Sequence, residues 1–259
     1  MTALPPAVVP LTLPPTVLRV PLAERSYDID IGPGLLASAG QQILAKAPAT
    51  HAVVISDRNV SAIGARIGDS LRAAGRSVVM LEVAPGEGSK TIEVATRLLG
   101  EMLAAKADRK SLVVAVGGGV IGDLAGFVAA TFTRGLRLVQ VPTTLLAQVD
   151  SSVGGKTGVN LPAAKNMVGC FWQPRYVLID PEVLASLPER EYLSGLAEIV
   201  KYGVILDPDL FEFIETHVAE IRARESAALV HLISRSCRLK ADVVEKDERE
   251  ETGLRAVLN

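Results

Sequence analysis

The chain has 259 residues, 49% of them hydrophobic, and its 27 basic side chains nearly balance 29 acidic ones, leaving a net charge of −2. That length supports one large or two modest domains with real cores, and the charge balance offers neither a basic surplus for nucleic acid nor a like-charge block for a disordered tail. What is left is small-molecule chemistry in a soluble globular protein.

The opening "MTALPPAVVPLTLPPTVLRV" lacks a basic n-region and is broken by prolines, so neither a signal peptide nor a spanning helix is expected, and residues 1–16 read as a loose extension. "VLRV" and "YDIDIG" then suggest an added hairpin or edge pair. Short β-branched runs follow at 51–56, 77–83, 111–116, 137–142 and 175–180, with helical stretches between them. This alternation predicts βαβ units around a mostly parallel sheet, covered on both faces because the runs are apolar on both faces. From Pro188 to about Arg249 no strand-like run recurs. Leu193, Leu196, Val200 and Val204 follow helical spacing, "LDPDLFEFIETHV" restarts a helix at an Asp-Pro signal, and a further helix follows. The fold class expected is α/β: a Rossmann-like domain over 17–185, then an all-α domain over 186–259. Cys170 and Cys237 match no metal spacing, so no disulfide framework is expected and a reducing cytoplasm fits.

Three consecutive glycines, Gly117 to Gly119, stand where the run "SLVVAV" ends. Open parallel sheets bind ligands beyond the carboxyl ends of their strands, and bare backbone there lets N–H groups approach a pyrophosphate. The pattern is neither a GxGxxG fingerprint nor a P-loop, so a dinucleotide cradle and a plain tight turn both remain open. Two more polar, glycine-bearing loops fall on the same predicted edge. "PGEGSKT" brings the charged pair Glu87 and Lys90, and "VPTTLLAQVDSSVGGKTGVN" brings Thr143, Thr144, Asp150 and Lys156. In "AAKNMVGCFWQP", Lys165 and Asn166 offer a cation and an amide. Glu198 and Lys201 share a helical face, as a surface ion pair or a pocket wall. His51 is expected at the opposite sheet edge, and His217 and His231 on amphipathic helices, all as structural histidines.

With those residues assembled, the sequence resembles the 3-dehydroquinate synthases of the sugar phosphate cyclase superfamily. The likeness runs from about residue 25 to the end, through "GGGVIGDLAGF", "VPTTLLAQVDSSVGGKTGVN", "KNMVGCFWQP", "LASLPERE" and "SGLAEIVKYG". The resemblance implies a site between an NAD-binding domain and a helical domain. It places NAD on Asp57, Glu87, Lys90, Gly118, Gly119, Val120, Ile121, Gly122, Asp123, Thr143, Thr144, Lys156, Lys165 and the segment Val183, Leu184, Ala185, Ser186. Substrate and catalytic roles fall on Asp150, Lys156, Lys165, Asn166, Lys201, Lys240, Arg255 and Asn259. Arg134 resembles an arginine that reaches the neighbouring site across a homodimer, and Glu198 a ligand of Zn2+ or Co2+. The implied reaction converts 3-deoxy-D-arabino-heptulosonate 7-phosphate to 3-dehydroquinate and phosphate by transient oxidation, elimination, re-reduction, ring opening and aldol closure. Family members add two histidine ligands in later segments. The sequence stops at "ETGLRAVLN", where the first would begin, which implies a truncated chain that binds metal weakly. Two alternatives accompany this reading: another sugar phosphate cyclase, or a non-catalytic NAD-binding module.

Overall fold

The computed structural model describes residues 15–258. Each β-branched run becomes a strand at nearly the expected bounds: β3 (His51–Asp57), β4 (Ser77–Val83), β5 (Leu112–Gly117), β6 (Arg137–Pro142) and β9 (Tyr176–Ile179). β1 (Thr16–Val20) and β2 (Tyr27–Ile31) are the expected antiparallel pair, and β2 joins β9 in parallel. The seven strands are ordered β1-β2-β9-β6-β5-β3-β4. Successive side chains on a strand point to opposite faces. Val53, Ile55, Val113, Ala115 and Leu138 therefore pack under α3 (Ile92–Ala104) and α4 (Gly119–Thr131). Their neighbours Ala52, Val54, Leu112, Val114 and Val139 pack under α1 (Ala39–Lys46) and α2 (Ser61–Ala73).

From β3 the chain moves to β4 on one side and then returns to place β5 on the other. Loops leaving β3 and β5 diverge at this reversal, which opens a crevice at their carboxyl ends. Asp57 closes β3 at that crevice and Gly118 follows β5.

The helical region comprises α5 (Glu189–Leu206), α6 (Pro208–Thr216), α7 (Val218–Arg222) and α8 (Ser226–Lys246). Asp207 caps α6 by accepting the Leu210 N–H at 3.3 Å, so the Asp-Pro start signal acts as anticipated. Of the stripe that announced α5, only Leu196 packs against the core. Leu193 and Val204 are 53% and 68% exposed, whereas Tyr192, Gly195, Ile199, Tyr202 and Gly203 face inward. Those residues share one core with β1, β2 and α8. No described helix is long and apolar enough to cross a membrane.

The segment read as glycine-bearing loop is an antiparallel hairpin, β7 (Lys156–Leu161) with β8 (Ala164–Phe171), lying on α4. Gly158 and Gly169 interrupt the period-two alternation that would have marked it. The helix accommodates the hairpin at Gly126, where an added Cβ would lie 2.4 Å from Thr157 Cγ2. Gly126→Ala is expected to destabilise the protein by about 1–3 kcal/mol through overpacking, read as a lowered urea midpoint at unchanged m-value.

Candidate active site

Gly118 is the N-cap of α4 and offers no side-chain cap; the Ile121 N–H donates to its carbonyl at 3.0 Å, and the Gly119 and Val120 N–H groups are left for another acceptor. Gly118 to Val120 are only part-buried, so these donors face outward at the carboxyl edge. A Cβ on Gly118 would approach Thr144 Cγ2 to 3.0 Å, and one on Gly119 would approach Ser151 Oγ to 3.0 Å. Side chains here would fill the notch, and the helix dipole adds a preference for an anion. Thr143 donates its N–H to the Gly117 carbonyl at 3.0 Å, tying the ends of β5 and β6 together. Glycine donors, threonines and a helix N-terminus at the sheet reversal fit a dinucleotide pyrophosphate. The carried-over stretch nonetheless splits: Ile121 is buried against Gly117, and Gly122 abuts Gln140. Gly118, Gly119, Val120, Gly122 and Asp123 are part-buried, and Ile121 alone of the stretch is fully buried.

Glu87 and Lys90 do not pair with each other. Lys90, 4% exposed, bonds through Nζ to Asp123 on α4 and to Asn166 Oδ1 on β8 at 2.5 Å. Glu87 accepts from Asn160 Nδ2 at 2.7 Å. Burial outweighs the Lys90 charge at Asp123 and raises its carboxyl above the usual range. Asp57 is raised for the same reason, by burial, while its side chain accepts the Asn59 N–H at 2.8 Å. Lys165 stands exposed beside Asn166.

A second cluster lies next to Ser151. Residues Ala147–Ser151 form a π-turn, a geometry often found at functional sites. It turns Asp150 toward the helical region, where Lys240 Nζ on α8 bonds to its carboxylate and, at 2.7 Å, to its carbonyl. Tyr202 on α5 donates its hydroxyl to Asp150 Oδ1 at 2.7 Å. Burial pushes the Asp150 carboxyl up, but the Lys240 ammonium and the Tyr202 hydroxyl outweigh it and hold the group below the usual range. One turn before Tyr202, Glu198 is ion-paired with Lys201 at 2.7 Å.

Of the other expected residues, Arg255 and Lys156 are near enough to Lys240 to act on its charge, and the rest lie apart from the two clusters. Arg255 is buried, donating to the Gly154 carbonyl at 3.2 Å and the Glu248 carbonyl at 2.8 Å. Lys156 pairs with Glu250 at 2.5 Å. Val183 to Ser186 form a tight turn after β9, with the carbonyls of Leu184 and Ala185 taken by Arg224 at 2.5 and 3.3 Å. Arg134 precedes β6 at its amino end, roughly 20 Å from Thr143 along a six-residue strand. Asn259 lies outside the described residues. His51 opens β3 at the amino edge, and His217 and His231 both stack on Phe213 at 4.0 Å. Among the described residues no group of three or more His, Cys, Asp or Glu could hold a metal ion. Glu198 alone, engaged by Lys201, does not fit a metal centre.

Asn160, Ser151 and Tyr202 escaped the sequence reading. Tyr202 sat inside the quoted "SGLAEIVKYG", and its i+4 offset from Glu198 was the available signal.

Residues 80–194 match the family model for the 3-dehydroquinate synthase N-terminal domain, and residues 195–259 the model for its C-terminal domain. A 3-dehydroquinate synthase from Rhodopirellula baltica is 49% identical over 256 residues, covering 96% of this chain and 68% of the relative. Among solved structures, a 2-deoxy-scyllo-inosose synthase complexed with carbaglucose-6-phosphate, NAD+ and Co2+ superposes with a TM-score of 0.84 at 30% identity, covering 93% of this chain and 67% of that one. A 2-epi-5-epi-valiolone synthase from Streptomyces hygroscopicus with NAD+ and Zn2+ gives 0.78 at 30% identity, covering 87% and 63%. With both family models laid end to end from residue 80 to residue 259, over the glycine notch and the Asp150 cluster, the chain belongs to the 3-dehydroquinate synthase family.

Proposed function

We propose that this chain functions as a 3-dehydroquinate synthase, eliminating phosphate from 3-deoxy-D-arabino-heptulosonate 7-phosphate with NAD held at the carboxyl edge of the sheet. The observation that carries the reading is the adjacency of two unlike environments: an anion-seeking helix N-terminus at Gly118–Gly119, and a buried acid–amine pair that begins one residue from the Ser151 wall of that notch. When bound, NAD supplies a hydride acceptor and donor, which makes a neighbouring C–H acidic while one ring carbon is a ketone.

The chain's own residues do the positioning. First-turn N–H groups of α4 receive the pyrophosphate, and Asp57, at the end of β3, lies at the same crevice. Lys240 is 7% exposed and presents a fixed ammonium whose orientation Asp150 sets. Tyr202 keeps its proton at neutral pH, because burial and the Asp150 carboxylate both oppose phenolate formation. Lys165, exposed beside the bonded Asn166, is accessible to a phosphate or carboxylate. Arg134 lies before the amino end of β6, away from this chain's own notch, and its assignment to the neighbouring site of a homodimer rests on the family resemblance.

Calorimetric titration of the full chain with NAD+ tests the reading, followed by phosphate release from the seven-carbon substrate with added divalent metal. Binding is expected for the natural chain and is expected to fall at least tenfold in Gly119→Val at a retained melting temperature. Phosphate release from glucose 6-phosphate or sedoheptulose 7-phosphate, but not from the seven-carbon acid, would overturn the substrate assignment. Asp150 supplies a further prediction. Its depressed pKa contributes stability present above the unfolded carboxylate value of about 3.9 and lost as pH falls through the lower folded value. Asp150→Asn strands the buried Lys240 charge and should cost about 3–5 kcal/mol at pH 7, with the deficit narrowing toward pH 2 in denaturant titrations.

A further inference from the structure

The β7–β8 ladder is regular from Lys156↔Phe171 to Val159↔Val168 and resumes only at Leu161↔Ala164, so Asn160 faces a bulge on β8 formed by Lys165, Asn166 and Met167. A bulge sets extra residues of one strand against a single residue of its partner and bends the ladder there, which leaves Asn160 without a regular cross-strand partner. Asn160 is thereby turned toward the loop after β4, where its backbone N–H donates to the Lys90 carbonyl at 2.8 Å. Its side chain makes two further bonds. Oδ1 accepts the Asn166 N–H at 2.8 Å, and Nδ2 donates to Glu87 Oε1 at 2.7 Å. Asn166 is left-handed, at φ 59°, and its own Oδ1 receives the Lys90 ammonium at 2.5 Å.

We propose that Asn160 is a positioning residue for the cofactor rim, setting Glu87, Lys90 and Asn166 relative to one another across the bulge. The job needs one acceptor and one donor on the same short planar group, because a backbone N–H lies on one side and a carboxylate on the other. Asp has no donor, Ala has neither group, and Gln is a methylene too long. The ring closes through Lys90, which carries it on to Asp123 in the first turns of α4. The hairpin, the β4–α3 loop and the glycine notch are thus held in register by one amide.

This inference rests on the dinucleotide reading of the rim, and the test separates the two. NAD+ affinity is measured by calorimetry for the natural chain, Asn160→Ala and Asn160→Asp at pH 7.5 and about pH 5, with melting temperatures alongside. The charged groups bearing on position 160 are Glu87 and Lys90 from the loop, Asp123 from α4 and Lys165 beside Asn166 on β8. A carboxylate at 160 repels Glu87 at neutral pH. Its proton uptake is shifted upward by that neighbour, and once protonated it regains a donor. The Asp variant is therefore expected to bind NAD+ roughly tenfold more weakly than the natural chain at pH 7.5 and to recover most of the difference at about pH 5, while the Ala variant stays weak at both. Unchanged affinity in both variants overturns the inference alone. A deficit in the Asp variant that is equal at the two pH values also overturns it, since lost packing does not titrate. Absence of binding by the natural chain overturns the dinucleotide reading and this inference with it.

Discussion

A single carboxylate joins the sheet to the helices. Asp150 leaves the end of β6 on a π-turn and receives Lys240 from α8 and Tyr202 from α5, so three distant segments converge on it. Such a pair is expensive to desolvate and is tolerated only where the geometry is tight and the remaining lone pairs are occupied. Here the lysine also holds the Asp150 carbonyl and the tyrosine holds the carboxylate. The charges cannot relax without moving α5 and α8, which themselves share a core with β1 and β2. Stability and site geometry are therefore coupled at this point.

On the other side of the glycine notch a second polar ring does the same for the hairpin. Lys90 is even more buried than Lys240, and it too is satisfied by a carboxylate plus a carbonyl-type oxygen, from Asp123 and Asn166. One lysine ties α4 to the hairpin, and the other ties the segment beside Gly119 to the helical region. Between them lies a helix end with donors to spare. Each lysine is paired with a carboxylate, so the N–H groups at the start of α4 are the donors left open to an anion.

Much of this was legible without coordinates. The five parallel strands were readable to within a residue or two because buried strands are continuous apolar runs bounded by turn residues. The three polar loops fell on one edge because parallel strands point their carboxyl ends the same way: Gly118 abuts Thr144, Gly119 abuts Ser151, and Lys90 reaches Asp123. The hairpin at 156–171 was not legible, since glycines and exposed polar residues erase its alternation. Asn160 was hidden with it, because a bulge has no signature in composition. The mostly exposed stripe of α5 announced the helix while its tyrosines and glycines formed the buried face, since a helix's periodicity states that it has two faces and not which one is covered.

The order of strands and helices, the sheet's location of ligand-facing loops and the stock of lysines, acids and glycines were determined by the sequence itself, since these depend on local propensity and on the common direction of parallel strands. Which acid meets which amine was decided only by the tertiary structure. Glu87 and Lys90, neighbours in one loop, take partners on the hairpin and on α4, and Asp150 meets Lys240 across 90 positions of chain. The physical reason is that a buried charge takes whichever counter-charge the packed backbone brings within hydrogen-bond reach, and sequence separation does not enter that distance.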